Sequence, residues 1–150
     1  MKNKLVIVTG ASSGIGRACA EKFAQEGANL VLAARSADKL NEVAKNVARY
    51  GVQVLPVVTD VTVEEDCKNL VEKALIKFGK IDVLVNNAGI SMRASFSELD
   101  ISVLKKVMDV NFWGTIYCTR HAIASLLENK GSVVGVSSIA GYKGLPGRTG

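Results

Sequence analysis

A run of three glycines between the first predicted strand and the first predicted helix limits the possible folds more than any other feature of the sequence. The strand Leu5–Thr9 is apolar until its last residue. It is followed at once by Gly10-Ala-Ser-Ser-Gly14-Ile-Gly16, with a helical pattern beginning near Ile15. A strand that passes directly through glycines into a helix is typical of the βαβ unit of a parallel sheet. We therefore expect residues 5–34 to form such a unit.

Four further apolar runs alternate with helical patterns along the chain. They predict strands at Asn29–Ala34, Gln53–Val58, Val83–Asn86 and Ser132–Ser137. This alternation favours an α/β fold of the Rossmann type, in which a doubly wound parallel sheet has helices on both faces and so forms three layers. Because 48% of the residues are hydrophobic and the composition does not shift along the chain, residues 1–150 are predicted to form one domain.

Capping residues and glycines set the limits of the predicted helices. Ser36 is predicted to cap a helix for which Gly51 is the stop signal. Thr62 and Glu65, three residues apart, are predicted to form a capping box for the next helix, which Gly79 ends.

The longest helical pattern covers residues 101–129. It is predicted to bend near Asn111. Asparagine is uncommon in helix interiors because its helix propensity is low, and the alternative is that Asn111 is an ordinary surface residue. A helix of this length leaves apolar surface to bury, which favours contact with a partner subunit.

The composition excludes several classes of protein. The formal net charge is +5, but the basic residues are mixed with acidic ones, so an anionic cofactor is expected and a nucleic-acid partner is not. No apolar run is long enough to cross a membrane and no signal peptide is visible, which predicts a cytoplasmic protein. Cys19, Cys67 and Cys118 form no Cys-x-x-Cys pair, so buried thiols are expected, with neither disulfides nor a metal site.

The glycine turn has the properties of a pyrophosphate site. Gly10 permits a tight turn, Gly14 lets the backbone approach phosphates, and Gly16 lets the helix pack closely on the strand. The amino end of the helix adds free N–H groups and a partial positive charge. The predicted cofactor-binding residues of this turn are Gly10, Ser12, Ser13, Gly14, Ile15 and Gly16. The alternative is an ordinary turn between strand and helix.

The end of the second strand distinguishes between the two nicotinamide cofactors. A carboxylate there would bind the ribose 2′-hydroxyl of NAD, whereas a basic residue would bind the 2′-phosphate of NADP. The sequence has Ala34 where the acid is expected, and Arg35 follows it. NADP is therefore favoured over NAD, unless Arg35 merely faces solvent.

Further motifs follow the later strands in order. They are Asp60-Val61 after the third strand, Asn86-Asn-Ala-Gly89 after the fourth, Asn111 within a helix, and Ser137-Ser138 after the fifth. Together with the glycine turn, these motifs make the sequence resemble the short-chain dehydrogenase/reductase family along its whole length. The resemblance is specific as a set, although each motif alone is modest.

The resemblance gives several of these residues a role beside the cofactor. Asp60 and Val61 would border the adenine, and Asn87, Ala88 and Gly89 would line the ribose on the nicotinamide side. Asp60 as a turn residue, and Asn87 as part of a hydrogen-bonding pair at the end of the sheet, are the alternatives.

The resemblance also implies two catalytic residues in this chain. Ser138 would hydrogen-bond the substrate oxygen, and Asn111 would hold a water that links a catalytic lysine to solvent. Either serine of the pair 137–138 could instead only end the strand. The Tyr and Lys of the family's Tyr-x-x-x-Lys motif are expected directly after Gly150, since Tyr142 is followed at once by Lys143 and lies too near Ser138.

The resemblance therefore implies an NADP-dependent oxidoreductase that interconverts a carbonyl and a secondary alcohol. Without the Tyr/Lys pair and the later strands, this chain is expected to be inactive. A non-catalytic dinucleotide-binding module and a structural fragment are the alternatives. The expected partners are a small carbonyl or alcohol substrate and copies of the same chain, as a dimer or tetramer formed through the long helices. Met92 and Phe96 suggest only a partly apolar pocket wall, and Arg93 and Arg148 are expected to face solvent.

Overall fold

A computed structural model describes residues 1–147 and places five strands in one parallel sheet. The strands are β1 Leu5–Thr9, β2 Asn29–Ala34, β3 Val54–Val58, β4 Val83–Asn86 and β5 Ser132–Gly135. The helices are α1 Gly14–Gln25, α2 Ala37–Ala48, α3 Glu64–Phe78, α4 Ile101–Met108 and α5 Gly114–Glu128. The strand order is β3-β2-β1-β4-β5, so the predicted Rossmann-type sheet is confirmed.

Strand limits agree with the sequence except at two ends. Three strands match residue for residue, whereas β3 begins one residue later than predicted and β5 ends at Gly135 instead of Ser137. The early end of β5 has a simple cause. The neighbouring strand β4 ends at Asn86, whose carbonyl accepts from the N–H of Val136, and beyond that bond β5 has no strand to pair with.

Helices cover both faces of the sheet, as predicted. In β1 the side chains of Leu5 and Ile7 pack into the core formed with α3 and α5, and those of Val6 and Val8 pack into the core formed with α1 and α2. This alternation follows from the period of two in a strand. The three layers leave all five residues of β1 buried.

The first turns of α2 and α3 differ from what the sequence predicts. Ser36 occupies the predicted cap position of α2, but its side chain makes no capping hydrogen bond. The capping box at α3 is wrong, because Val63 is the residue that precedes the helix. The hydroxyl of Thr62 donates instead to Asp60 Oδ1 at 2.8 Å, and Asp66 accepts from the N–H of Asp60 at 2.9 Å. Gly79 ends α3 in the left-handed conformation, as predicted.

The long helical pattern is interrupted where the sequence indicates. Between α4 and α5 lies a π-helical turn, Asp109–Trp113, which contains Asn111. A π-turn inserts one extra residue into a helix and is frequent at functional sites. The expectation of buried thiols is confirmed for Cys67 and Cys118 but is wrong for Cys19, which is half-buried on α1.

A buried carboxylate ties the amino ends of β1 and β4 together. Asp82 is 3% exposed and accepts from the N–H of Leu5 at 2.8 Å, from Lys4 Nζ at 2.8 Å and from Lys80 Nζ at 2.9 Å. Burial raises the pKa of Asp82, but these hydrogen bonds and the two ammonium charges outweigh it, so the pKa lies below its ordinary value. The carboxylate therefore fixes the register of the two strands at the end remote from the glycine turn.

Candidate functional site

The glycine turn lies at the carboxyl end of β1, with a backbone that glycine adopts without strain. Gly10 has a φ of +65°, and Gly14, the first residue of α1, has a φ of +53°. Apart from the adjoining residues and the first turns of the helix's own backbone, no atom of residues 1–147 lies within 4 Å of the position that a Cβ on Gly14 would take. The backbone at the amino end of α1 is therefore open to an approaching ligand.

Gly16, on the opposite side of the turn, is in close contact with the neighbouring backbone. A Cβ on Gly16 would overlap the carbonyl oxygen of Gly10 and the side-chain amide of Asn87. That amide donates to the carbonyl of Thr9 at 2.8 Å and to the carbonyl of Gly10 at 3.4 Å. The close packing predicted for Gly16 is therefore present, and Asn87 joins the turn to the segment that follows β4.

The hydroxyl of Thr9 is the second link between these two segments. Thr9 is 1% exposed, and its Oγ1 accepts from the N–H groups of Asn87 and Ala88, each at 3.0 Å, while donating to the carbonyl of Val85 at 3.3 Å. One hydroxyl thus satisfies three backbone groups at the edge of the sheet. The sequence carried a signal for this residue, since Thr9 is a polar residue that ends an otherwise apolar strand.

A cavity opens at this edge, where the chain order reverses between β1 and β4. Ligands of open α/β sheets bind at such a switch point. The predicted cofactor-binding residues that line it are Gly10, Ser12, Ser13, Gly14, Ile15, Arg35, Asp60, Val61, Asn87, Ala88 and Gly89. Gly16 lies behind the turn and supports it without lining the cavity. The structure thus brings together residues that the sequence spreads over four loops.

Basic groups line the side of the cavity next to β2. Arg35 and Lys39 both line it and are exposed, and within residues 1–147 neither makes a hydrogen bond or an ion pair. Ser36 lies between them on the same wall. An anion entering here would meet one guanidinium and one ammonium group, neither of which is held in an ion pair with residues 1–147.

Asp60 also lines the cavity and is held by its own loop. Its Oδ1 accepts from the N–H of Thr62 at 3.0 Å and from the Thr62 hydroxyl. Partial burial raises the pKa of Asp60, but the Thr62 hydrogen bonds, with help from the charges of Arg35 and Lys106, bring the pKa below its ordinary value. Asp60 is therefore a turn residue, which is the alternative that the sequence left open. It is also an ionised acceptor at the cavity.

Asn111 contacts the loop after β4 and does not line the cavity. Its Oδ1 accepts from the N–H of Ile90 at 2.8 Å, and its Nδ2 donates to the carbonyl of Ile90 at 2.9 Å. Its own carbonyl accepts from the hydroxyl of Thr115 at 3.1 Å. The π-turn thus presents this side chain to the backbone beyond Gly89, so Asn111 positions one wall of the cavity.

Ser138 follows β5 and also lies outside the cavity lining. Its hydroxyl accepts from the N–H of Ala140 at 3.1 Å, which begins the short 3-10 turn Ile139–Gly141. Tyr142 comes next in a loop, as expected, and is 96% exposed. Arg93 is exposed, and Arg148 lies outside the described residues.

Sequence reasoning missed part of the cavity wall. The lining residues that it did not identify are Ala33, Ala34, Ser36, Lys39, Thr59, Ile90 and Val110. The sequence carried a signal for Lys39, which is a cation in the first turn of a helix, where the macrodipole disfavours positive charge. The sequence carried no signal for Val110, because only the π-turn brings that part of the chain to the site.

The residues that the structure describes form neither a candidate metal site nor a helix that could span a membrane. Within residues 1–147, no three side chains of the His, Cys, Asp or Glu type are grouped so that they could hold a metal ion. None of the helices in the same range combines the length and the apolar character needed to cross a bilayer.

Comparison with known proteins gives consistent matches. Residues 4–150 match the family model described as short chain dehydrogenase. The 11-beta-hydroxysteroid dehydrogenase-like protein 4A of Arabidopsis thaliana is 42% identical over 148 residues, which is 97% of this chain and 50% of that protein. The chain thus spans about half the length of this relative.

Solved structures share the fold. L-sorbose reductase from Gluconobacter frateurii, complexed with NADPH and L-sorbose, superimposes with a TM-score of 0.95 at 32% identity, covering 99% of this chain and 57% of that one. An NAD+-bound xylitol dehydrogenase superimposes with a TM-score of 0.94 at 31% identity, covering 97% of this chain and 57% of that one. Neighbours with either dinucleotide therefore have this architecture.

Proposed function

Because this chain belongs to the short-chain dehydrogenase family, we propose that it is the NADP-binding part of an oxidoreductase that interconverts a carbonyl and a secondary alcohol. The observation that carries the proposal is the cavity at the switch point, which the glycine turn and Arg35 both line. We take residues 1–150 as one dinucleotide-binding domain.

The residues of the cavity fit a dinucleotide. The open backbone at Gly14 and the amino end of α1 would take the pyrophosphate. Asp60 has one oxygen, Oδ2, without a hydrogen-bond partner among residues 1–147, and it would accept from the adenine amino group with Val61 beside it. Ala88 and Gly89 would leave room for the second ribose.

Preference for NADP is proposed from the end of β2. Ala34 offers no carboxylate to a ribose 2′-hydroxyl, and Arg35, which makes no ion pair with residues 1–147, offers a guanidinium to a 2′-phosphate. The sorbose reductase was solved with NADPH and the xylitol dehydrogenase with NAD+, so similarity of fold does not select the cofactor. The choice rests on these two residues.

A nicotinamide bound here would supply hydride chemistry, while the chain supplies position and polarity. Ser138 is the proposed partner of the substrate oxygen, and Asn111 fixes the backbone at Ile90 beside the cavity. No tyrosine of the sequence is followed by lysine four residues later. The chain by itself therefore lacks a proton donor of that type, and we propose that it binds cofactor without efficient turnover.

A second candidate is a non-catalytic dinucleotide-binding module, which is favoured by the position of Ser138 outside the cavity that the glycine turn and Asp60 line. The two candidates separate when the chain and a version extended beyond Gly150 are assayed for NADPH oxidation with small ketones. The oxidoreductase proposal expects turnover only in the extended version. Equal activity in the two, or none in the extended version, would refute the role assigned to the missing pair.

Cofactor binding itself is tested by calorimetric titration of the chain with NADPH and with NADH. We expect saturable binding of both, tighter for NADPH, and a loss of that preference in Arg35→Ala. Absence of binding by either dinucleotide would reject both candidates.

Assembly into a homodimer or homotetramer is also proposed, through the π-turn and α5. Phe112, Trp113, Ile116 and Ile123 are each between 40% and 47% exposed there. Apolar surface of this kind marks protein contacts. Sedimentation velocity of the extended protein, with and without Trp113→Glu, tests this part.

A further inference from the structure

Lys39 is a cation in an unfavourable position that no contact among the described residues explains. It is the third residue of α2, where the partial positive charge of the helix end disfavours an ammonium group. The first turn of α3 shows the usual arrangement, with Glu64, Glu65 and Asp66. The ammonium group of Lys39 makes no hydrogen bond and no ion pair with residues 1–147, and Asp38 in the same turn offsets only part of the unfavourable location.

The place of Lys39 at the cavity indicates that a bound anion would offset its unfavourable location. Lys39 lines the same wall as Arg35, and Ser36 lies between the two in sequence. Arg17, Lys22 and Lys68, which lie outside this wall, each pair with a glutamate three or four residues away. Arg35 and Lys39 differ from these three cations because neither makes an ion pair with residues 1–147 and both line one cavity.

We propose that Lys39 is a specificity-determining residue for the cofactor, and that it shares the 2′-phosphate of NADP with Arg35. A phosphate monoester carries close to two negative charges near neutral pH and three acceptor oxygens, which is more than one guanidinium fork can satisfy. The Lys39 ammonium group, in the first turn of α2, would supply the second charge and a donor for a further oxygen. This inference rests on the proposed function, since it assumes that the adenosine end binds beside β2.

The test uses two small probes that differ by one phosphate, adenosine 2′,5′-bisphosphate and adenosine 5′-monophosphate, titrated calorimetrically into the chain. Lys39→Ala is expected to weaken the bisphosphate about fivefold, as one exposed ion pair would, and to leave the monophosphate unchanged. Lys39→Glu is expected to weaken the bisphosphate further, whereas Lys39→Arg keeps most of the affinity.

Lys45→Ala is the matched control, because Lys45 lies in the last turn of the same helix and does not line the cavity. It should change neither affinity. If Lys39→Ala weakens both probes equally, or neither, while wild type prefers the bisphosphate, the inference is wrong and the proposed function stands. If wild type binds neither probe, the proposed function fails and this inference fails with it.

Discussion

Two hydroxyl groups at the carboxyl ends of parallel strands have very different surroundings. Thr9, at the end of β1, is buried and bonds three backbone groups of β4 and of the segment that follows it. Ser138, just beyond β5, is exposed and accepts one hydrogen bond from Ala140 two residues away. The first hydroxyl is part of the framework of the site, and the second belongs to a local turn.

The same contrast holds for the strands themselves. Every residue of β1 is buried, because β1 lies between β2 and β4 with helices on both faces. Every residue of β5 is exposed, because β5 is an edge strand with β4 as its one neighbour in the described sheet. Buried residues of this chain therefore support the proposed dinucleotide site, whereas the proposed catalytic serine lies in an exposed segment.

Substitution of two glycines should show the largest difference between these regions. In Gly16→Ala the new methyl group meets the Gly10 carbonyl and the Asn87 amide, so we expect a loss of about 3 kcal/mol in the free energy of unfolding and weaker NADPH binding. In Gly135→Ala on β5 the methyl group enters open space, and a change below about 0.5 kcal/mol is expected. Urea unfolding measures both, and equal losses would remove the distinction.

Removing the two hydroxyls tests whether Thr9 contributes more to stability than Ser138 does. Thr9→Val keeps the shape but leaves the N–H groups of Asn87 and Ala88 without their acceptor, and a loss of about 2.5 kcal/mol is expected. Thr9→Ser should recover most of it. Ser138→Ala should leave stability within about 0.5 kcal/mol of wild type. A large loss in Ser138→Ala would mean that the end of β5 is also part of the framework.

The opposite end of β1 should respond to acid. Because the pKa of Asp82 is lower in the folded chain, its stabilisation is present above the unfolded pKa of about 3.9 and is lost as pH falls through the folded pKa. Asp82→Asn should lower the free energy of unfolding by about 2 kcal/mol at neutral pH. The partial exposure of the Lys4 and Lys80 side chains to solvent moderates the effect. The variant should also show a shallower loss of stability below about pH 4. An unchanged acid slope would assign that sensitivity to other carboxylates.

Two valines at paired positions of the neighbouring strands β4 and β5 give the smallest expected difference in the free energy of unfolding. Val85 on β4 pairs in register with Val134 on β5, yet Val85 is 2% exposed and Val134 is 43% exposed. Truncation to alanine should cost about 1.5 kcal/mol at Val85 and less than about 0.5 kcal/mol at Val134. Comparable costs at both positions would indicate that β5 is covered in solution.

The sequence predicted the sheet well because buried parallel strands are nearly continuous apolar runs, and the residues at their carboxyl ends fall at one edge by topology. The positions of Arg35, Asp60 and Asn87 around one cavity follow from that rule. The capping box at Thr62 failed because Asp60, two residues earlier, competes for the same hydroxyl. Contacts between residues remote in sequence, such as Thr9 with Ala88 or Asn111 with Ile90, have no local signature.

Hydrogen–deuterium exchange of the 150-residue chain, with and without NADPH, tests whether the dinucleotide binds at the glycine turn. We expect NADPH to slow amide exchange at residues 10–16 and 87–90, where the turn and the segment after β4 line the cavity, while residues 132–142 change little. Protection confined to residues 132–142, or none at residues 10–16, would contradict it.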